Sequence, residues 1–413
     1  MDNIEIRAPR EEEFPAILRV GTVAFGEEAT EEDAEACRTS FPFVRALCAY
    51  EDGKMVATSA VLSLELTIPD KVAIPAGGVT WIATLPTHRR RGLLRRLLVS
   101  QFADMADRDE SVSVLLASEG NIYGRFGYGP ATSMMSFSIE RPYAVFASPA
   151  DDPGRVTLLD AEEAAAQLPA IYDGLRLLRP GTVSRPADWW PHYLHDPLSE
   201  RQGAGGMHHA KHETAPGVAD GYVSYRIKES WAASTPLNEV QVVEVLAADP
   251  SVYKALWDYV LNTDLSRTTS CWRGRVDEPL RWLLADPRRF DVKALADDLY
   301  LRLLDVPRAL SARTYRAEGE LVLKVADMFP TPSETQYLLR TDPAAIPGAE
   351  CGRTTREPDL ELQIDYLGAA YLGGVSFAAL AAAGRVRELT TGAIERADAM
   401  FSTAMAPFCS TMF

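Results

Sequence analysis

Residues 78–102 read GVTWIATLPTHRRRGLLRRLLVSQF. The β-branched and aromatic run at the front reads as a strand. Behind the loop, Leu93, Leu94, Leu97, Leu98, Phe102, Met105 and Ala106 recur on one face at the 3.6-residue period of an amphipathic helix that must pack on a sheet. Between them, Thr87 to Leu98 (THRRRGLLRRLL) packs five arginines and a glycine into twelve residues of a chain whose formal net charge is −16. Cations at a helix start oppose the positive pole of the macrodipole, so a solvated helix start handles this charge badly. An anion resolves the conflict. Backbone N–H groups at the helix start can receive a pyrophosphate, with Gly92 letting the backbone approach closely and arginine side chains closing over it.

The rest of the composition bounds the setting. At 413 residues the chain has room for about two to four domains. Apolar residues make up 47% and charged ones 24%, ordinary globular values, and no run approaches the ~18–20 apolar residues of a membrane helix. The N-terminal MDNIEIRAPREEEF lacks the basic-then-apolar order of a signal peptide, so the cytoplasm is expected and no membrane partner. Cys37, Cys48, Cys271, Cys351 and Cys409 are scattered without a C-x-x-C pair, which suggests reduced thiols, no disulfide framework and no metal. A pI near 4.9 repels nucleic acid and attracts a cationic ligand. Residues 11–35 carry nine Asp or Glu against one Arg, either a solvated helix face or an acidic rim that concentrates amines.

Strand-like and helix-like segments alternate from Ile4 to about Pro142, giving an α/β or α+β domain. A Pro-, Gly- and Asp-rich linker is expected at Ala147–Arg155 (ASPADDPGR). Further on, EVQVVEVLAADPSVYKALWDYVL repeats the strand, turn and helix of the opening stretch, with Asp249-Pro250 where the arginines stood; the middle region thus reads as a degenerate duplicate. His208, His209 and His212 are expected on a glycine-rich surface loop without an acidic partner. The last region holds a strand, then a helix opened by Asp305 with Pro307 behind it. GELVLKVAD and LELQIDYLGAAYLGG are read as strands, and TTGAIERADAMFSTAM as a helix running to Pro407. The tail FCSTMF is apolar and should seek burial. The expected domains are residues 1–146, 147–290 and 291–413.

Which phosphate ligand the loop holds is narrowed by what is missing. There is no G-x-x-x-x-G-K-[ST] and no G-x-G-x-x-G. The arginines lack the interleaved aromatics of a nucleic-acid surface, so no nucleic-acid partner is expected. Arg89-x-x-Gly92-x-Leu94 instead resembles the R/Q-x-x-G-x-G/A pyrophosphate loop of GCN5-related N-acetyltransferases (GNATs), which bind acetyl-CoA, with leucine at the last small position. Adding SEGNIYGRFGYGPAT (118–132) and the closing Phe, the chain resembles the Eis (enhanced intracellular survival) family of aminoglycoside and lysine N-acetyltransferases.

That resemblance implies an α+β architecture of tandem GNAT acetyltransferase folds, the second degenerate, followed by a sterol-carrier-protein-like α/β domain, assembled as a homohexamer. It implies that Ile82, Ala83 and Thr84 pair with the pantetheine arm of acetyl-CoA. Arg90, Arg91, Gly92, Leu93, Leu94 and Arg95 would surround the pyrophosphate, and Ser118 and Glu119 would complete the cofactor site. Tyr123 falls at the general acid and the α-carboxylate of Phe413 at the general base. Phe25, Glu27 and Trp81 would line the pocket for a cationic amine substrate, an aminoglycoside, polyamine or lysine. Relatives commonly carry an acid before the closing Phe, where this chain has Met412. On the residues alone Tyr123 is a packing aromatic beside Phe126 and Tyr128, and Phe413 a frayed end. The chemistry asks for both roles: an ammonium must lose a proton before it attacks a thioester, and the departing thiolate must gain one. The rival expectation is a non-catalytic protein that binds acetyl-CoA or lipid.

Overall fold

The computed structural model describes residues 3–149 and 154–413. Two compact units emerge: Met1–Thr132 with Arg179–Ser184 and Asp298–Phe413, and Ser133–Leu178 with Arg185–Asp297. These cut the chain differently from the expected domains, because Ser133–Glu140 and Asp291–Asp297 join the sheet of the second unit while Leu299–Leu303 joins that of the first. Residues 150–153 of the expected linker lie outside the described residues.

In the first unit, β1 (Ile4–Arg7), β2 (Ala46–Glu51), β3 (Lys54–Ile68), β4 (Val72–Thr84) and β5 (Val112–Leu116) stand in spatial order, followed by the strand Leu299–Leu303 and then Gly129–Pro130. The turn between β2 and β3 is made by Asp52 and Gly53, both at positive φ (50° and 76°), the backbone that a two-residue hairpin demands. Helix α1 spans Phe14–Phe25, α2 Glu31–Ser40 and α3 Leu93–Asp107. The predicted stripe of α3 is largely buried at Leu93, Leu97, Leu98, Phe102 and Met105, and the helix crosses between β4 and β5, which are parallel.

The second unit builds its own seven-stranded sheet, in the order Asp291–Asp297, Ser133–Glu140, Ser266–Arg275, Asn238–Ala247, Val218–Lys228, His208–Ala215, Arg155–Leu159. Asn238–Ala247 and the helix Pro250–Leu261 capped by Asp249 are the strand and helix that the sequence repeat foretold, and the parallel strand Ser266–Arg275 completes a β-α-β unit. Each sheet therefore takes in a strand from a distant part of the chain: residues 299–303 lie beside β5, and residues 133–140 lie beside 266–275.

The histidine expectation is corrected. His208, His209 and His212 lie on a strand, His212 is fully buried, and its Nδ1 stands 2.5 Å from Asp220 Oδ1. Asp220 follows a turn eight residues later and reaches back across the hairpin, which a loop assignment could not show.

The C-terminal part of the first unit is a five-stranded sheet, in the order Ala349–Arg353, Ser333–Thr341, Gly319–Asp327, Leu360–Gln363, Val386–Glu388. Asp305 caps the helix Val306–Ala312 as expected, its carboxylate accepting from the Arg308 N–H. LELQIDYLGAAYLGG is a strand only to Gln363; Ile364–Tyr371 is a helix, since its apolar run packs as Ile364, Leu367, Ala370 and Tyr371. The last helix, Ala393–Phe401, stops six residues short of Pro407. One core joins this sheet to the first, with Leu64, Val112 and Val114 against Leu321, Leu339 and Leu367. The tail packs on residues 179–182: Arg179 Nη1 donates to the Ala406 carbonyl at 2.6 Å and the Phe408 N–H to the Pro180 carbonyl at 2.9 Å. Cys409 and Thr411 are buried and Phe413 half-buried, whereas Met412 points outward, 54% exposed.

Candidate active site

The site begins where two strands part. β4 and β5 pair at Ala76–Val112, Gly77–Ser113 and Gly78–Val114, and no further. β4 continues to Thr84, bonded to β3 alone, so Ile82, Ala83 and Thr84 present their other backbone edge to the gap. A bulge in β4, where Trp81 and Ile82 stand opposite Ser59 alone, shifts the β3–β4 register, and Trp81 takes a positive φ of 53°. The strain is anchored by the Thr58 hydroxyl, which donates to the Trp81 carbonyl at 2.8 Å.

Two adjacent glycines set the fork. A Cβ on Gly77 would lie 2.6 Å from Met105 Sδ and 2.9 Å from Glu110 Oε2; one on Gly78 would lie 2.4 Å from Leu64 Cδ1 and 3.3 Å from Phe413 Cε2. β4 can pass this closely between helix and tail only because both side chains are missing. Behind Gly77, Arg45 grips Glu110 with two bonds of 2.6 and 2.7 Å and also reaches Asp104 and Ser63, which pins the start of β5. Tyr128 Oη lies 2.7 Å from Ser113 Oγ, whose own proton goes to the Gly77 carbonyl at 3.1 Å.

Tyr123 and Phe413 reach the fork from opposite faces of the sheet. Tyr123 is buried on the α3 face with Val79, Leu98, Leu115 and Tyr128, and Ile82 and Leu94 pack against the same group. Phe413 packs on the other face, at Gly78 beside Leu64, against the core group that includes Val114. Burial pushes the Tyr123 phenol up to about 12, and the nearby Glu119 carboxylate pushes the same way. At working pH the hydroxyl keeps its proton.

The arginine loop is less uniform than its sequence. Arg90 and Gly92 both have positive φ (64° and 75°), folding the loop back before α3, whose first turn has no side-chain cap. Its backbone N–H groups are thus open to an anion. Arg90 is exposed and has no ion-pair partner among the described residues, whereas Arg91 pairs with Glu51 at 2.5 Å. His88 bonds the same carboxylate at 2.8 Å, and Arg91 and His88 together hold Glu51 down at about 2. Arg95 donates to the Pro330 carbonyl at 2.5 Å and lies over the Phe329 ring at 4.9 Å. Leu93 is buried under the loop, while Ser118 and Glu119 are exposed at the end of β5.

The substrate residues are not all brought together. Trp81 joins Phe14, Phe41 and Phe43 in an aromatic cluster, with ring centroids 6.1 Å from Phe14 and 5.2 Å from Phe41. Phe25 and Glu27 sit exposed at the end of α1, outside that cluster. Arg89 ties the arginine loop to this helix end through the Ala24 carbonyl at 3.1 Å. Gly77, Gly78 and Glu51 were missed by sequence reasoning. The doubled glycine inside a β-branched run was the available signal for the first two; Glu51 carried none.

A parallel strand pair that splays beside a bulge, followed by an arginine loop at an uncapped helix start, is the framework of a GNAT acetyltransferase. Comparison with known proteins agrees: models of the acetyltransferase (GNAT) domain match residues 5–131 and 181–310, and one of the sterol carrier protein domain matches 306–410. An N-acetyltransferase described as uncharacterized from Streptomyces avermitilis is 35% identical over the whole of this chain and 99% of its own length. N-acetyltransferase Eis of Mycobacterium tuberculosis is 32% identical over 97% of each chain. The crystal structure of Eis1 from Mycobacterium abscessus superposes with a TM-score of 0.87 at 33% identity, covering 99% of this chain and all of that one. The chain belongs to the Eis family of N-acetyltransferases: an acetyltransferase with two GNAT domains followed by a sterol-carrier-protein-like domain, of the class that uses acetyl-CoA. Among the described residues no helix is long and apolar enough to cross a membrane.

Proposed function

We propose that the enzyme transfers the acetyl group of acetyl-CoA directly to a primary amine of a cationic small molecule, an aminoglycoside or polyamine, or of lysine. The exposed backbone edge at Ile82, Ala83 and Thr84 suits the pantetheine arm. The loop N–H groups, with Arg90, Arg91 and Arg95 around Gly92, Leu93 and Leu94, suit the pyrophosphate, and Ser118 and Glu119 flank the slot. In the reaction the amine nitrogen bonds to the thioester carbonyl carbon and the carbon–sulfur bond breaks. One ammonium proton goes to the α-carboxylate of Phe413 before attack; the departing sulfur takes a proton from Tyr123, and the second proton that the nitrogen sheds as the amide forms returns to the phenolate.

The observation that carries this reading is the buried, protonated phenol of Tyr123 beside the fork, opposite the ring of Phe413. A phenol at about 12 is a poor acid toward an ordinary thiolate near ~8.5. Shelter from water moves a leaving thiolate in the same direction as the phenol, which narrows that gap.

The net charge of −16 and the aromatic wall of Trp81 favour a cationic acceptor, to which Phe25 and Glu27, exposed at the end of α1, would add a further ring and a carboxylate. Met412 adds no charge there, which argues against efficient acetylation at several sites of one aminoglycoside. The resemblance also supports a homohexamer in the cytoplasm, and mass photometry at six chain masses, against one, tests the assembly. Thiol release from acetyl-CoA on adding tobramycin, spermidine or a lysine peptide tests the activity. No turnover across that panel despite tight acetyl-CoA binding would overturn the reading.

A further inference from the structure

Arg302 lies on the strand that fills the place beside β5, and its side chain is almost wholly buried, 4% exposed. Its guanidinium is held at four points. Nη1 donates to the Phe126 carbonyl at 2.7 Å and reaches Asp327 Oδ1 at 3.3 Å; Nη2 donates to Asp327 Oδ2 at 2.7 Å and to the Phe329 carbonyl at 2.8 Å. The plane sits near the Phe102 ring at 5.0 Å and beside Phe329 at 5.9 Å. Gly127 makes room for it: at a φ of 81°, a Cβ there would come within 1.7 Å of Nη1.

Phe126 and Gly127 belong to the short turn that follows Tyr123, and the Tyr128 N–H closes that turn on the Tyr123 carbonyl at 3.3 Å. Phe329 stacks edge-on against Phe126 at 5.0 Å, and the next residue, Pro330, supplies the carbonyl that Arg95 binds. One segment, residues 327–330, thus touches both the turn that carries Tyr123 and the helix that follows the arginine loop.

We infer that Arg302 is a positioning residue: with Asp327 and Phe329 it fixes the turn bearing Tyr123 and ties it to the cofactor-binding helix. The inference rests on Tyr123 serving as the proton donor. Arginine suits the task because its planar fork meets several acceptors in fixed directions, where a lysine ammonium meets them singly. Freed from this grip, the turn loses the geometry of the phenol while the acetyl-CoA loop keeps its own residues.

The test is a two-by-two comparison of Arg302→Lys and Tyr123→Phe in the full-length enzyme, with kcat, acetyl-CoA KM and thermal melting measured for each. Arg302→Lys should lower kcat about tenfold with acetyl-CoA KM within twofold. In the Tyr123→Phe background it should cost nothing more, because the two act through one group. If Arg302→Lys melts below assay temperature, Asp327→Asn replaces it under the same expectation. Equal fold-losses in both backgrounds, or an unchanged kcat, overturn this inference alone. An unchanged kcat in Tyr123→Phe overturns the proton-donor reading and this one with it.

Discussion

The ring of Phe413 closes on Gly78: a Cβ at that glycine would stand 3.3 Å from Phe413 Cε2 and 2.4 Å from Leu64 Cδ1. Gly78→Ala therefore has to displace a core leucine, the ring, or β4 itself. Overpacking of this kind costs about 1–3 kcal/mol. We expect a lower midpoint in urea and a disproportionate loss of kcat, since the methyl group intrudes where the strands part. A variant with the stability loss but full kcat would show that Phe413 has no part in turnover.

Appending two or three residues after Phe413 moves the α-carboxylate and leaves every side chain in place. We expect kcat to fall by about 10²-fold or more, the usual reach of a general base, with acetyl-CoA KM nearly unchanged. Steady-state kinetics at saturating amine decide it. Full activity would sink the terminal-base role.

On the proposed cofactor reading, Glu51 competes with the pyrophosphate for Arg91. Its carboxyl, held near 2 by Arg91 and His88, stays ionised throughout the working range, so the pairing with Arg91 persists there. In Glu51→Gln the guanidinium is released, and acetyl-CoA KM should drop by about two- to tenfold at low ionic strength with kcat unaltered. The gain should fade in 0.5 M salt. A KM that rises instead would mean Glu51 holds Arg91 in its binding pose.

Asp365 gives the protein a pH-dependent weakness. Burial raises its carboxyl from the ordinary 3.8 to about 6, against weaker opposing effects from the Tyr366 N–H bond and from Arg385 and Arg302. The folded state therefore holds a proton that the unfolded chain releases. The associated stability is complete below about pH 4 and disappears as pH rises through 6, a difference on the order of 1–3 kcal/mol. Asp365→Asn should match the parent at pH 4 and exceed it by that amount at pH 8. Parallel urea midpoints at the two pH values would refute this.

Local patterns carried the first sheet. The period of α3, the β-branched run of β4 and the Asp52-Gly53 turn each depend on neighbours in sequence, and all three stand as read. Misread segments depended on distant partners. Ile364–Tyr371 is apolar enough for a strand and becomes a helix because it packs between two sheets of one core. His212 is buried against Asp220 across a hairpin whose first strand reads as a loop in sequence. At the site, the arginine cluster was plain, yet its five side chains diverge in use: Arg91 to Glu51, Arg95 to Pro330, Arg89 to Ala24, Arg96 to Ile4, and Arg90 to solvent. Each partner lies outside the motif, so sequence spacing could not assign them.

The strand Leu299–Leu303 has a bearing on biosynthesis. It lies between β5 and Gly129–Pro130, so the catalytic sheet stays unfinished until Leu303 has left the ribosome. Until then β5 is an open edge, a template for pairing with other chains. The nascent N-terminal third must wait through the synthesis of the entire middle region, and pairings over such sequence distances form slowly. A fragment ending at residue 146 would carry the arginine loop and Tyr123 but lack the strand that flanks them. This enzyme is thus harder to cut into a minimal catalytic module than its tandem layout suggests.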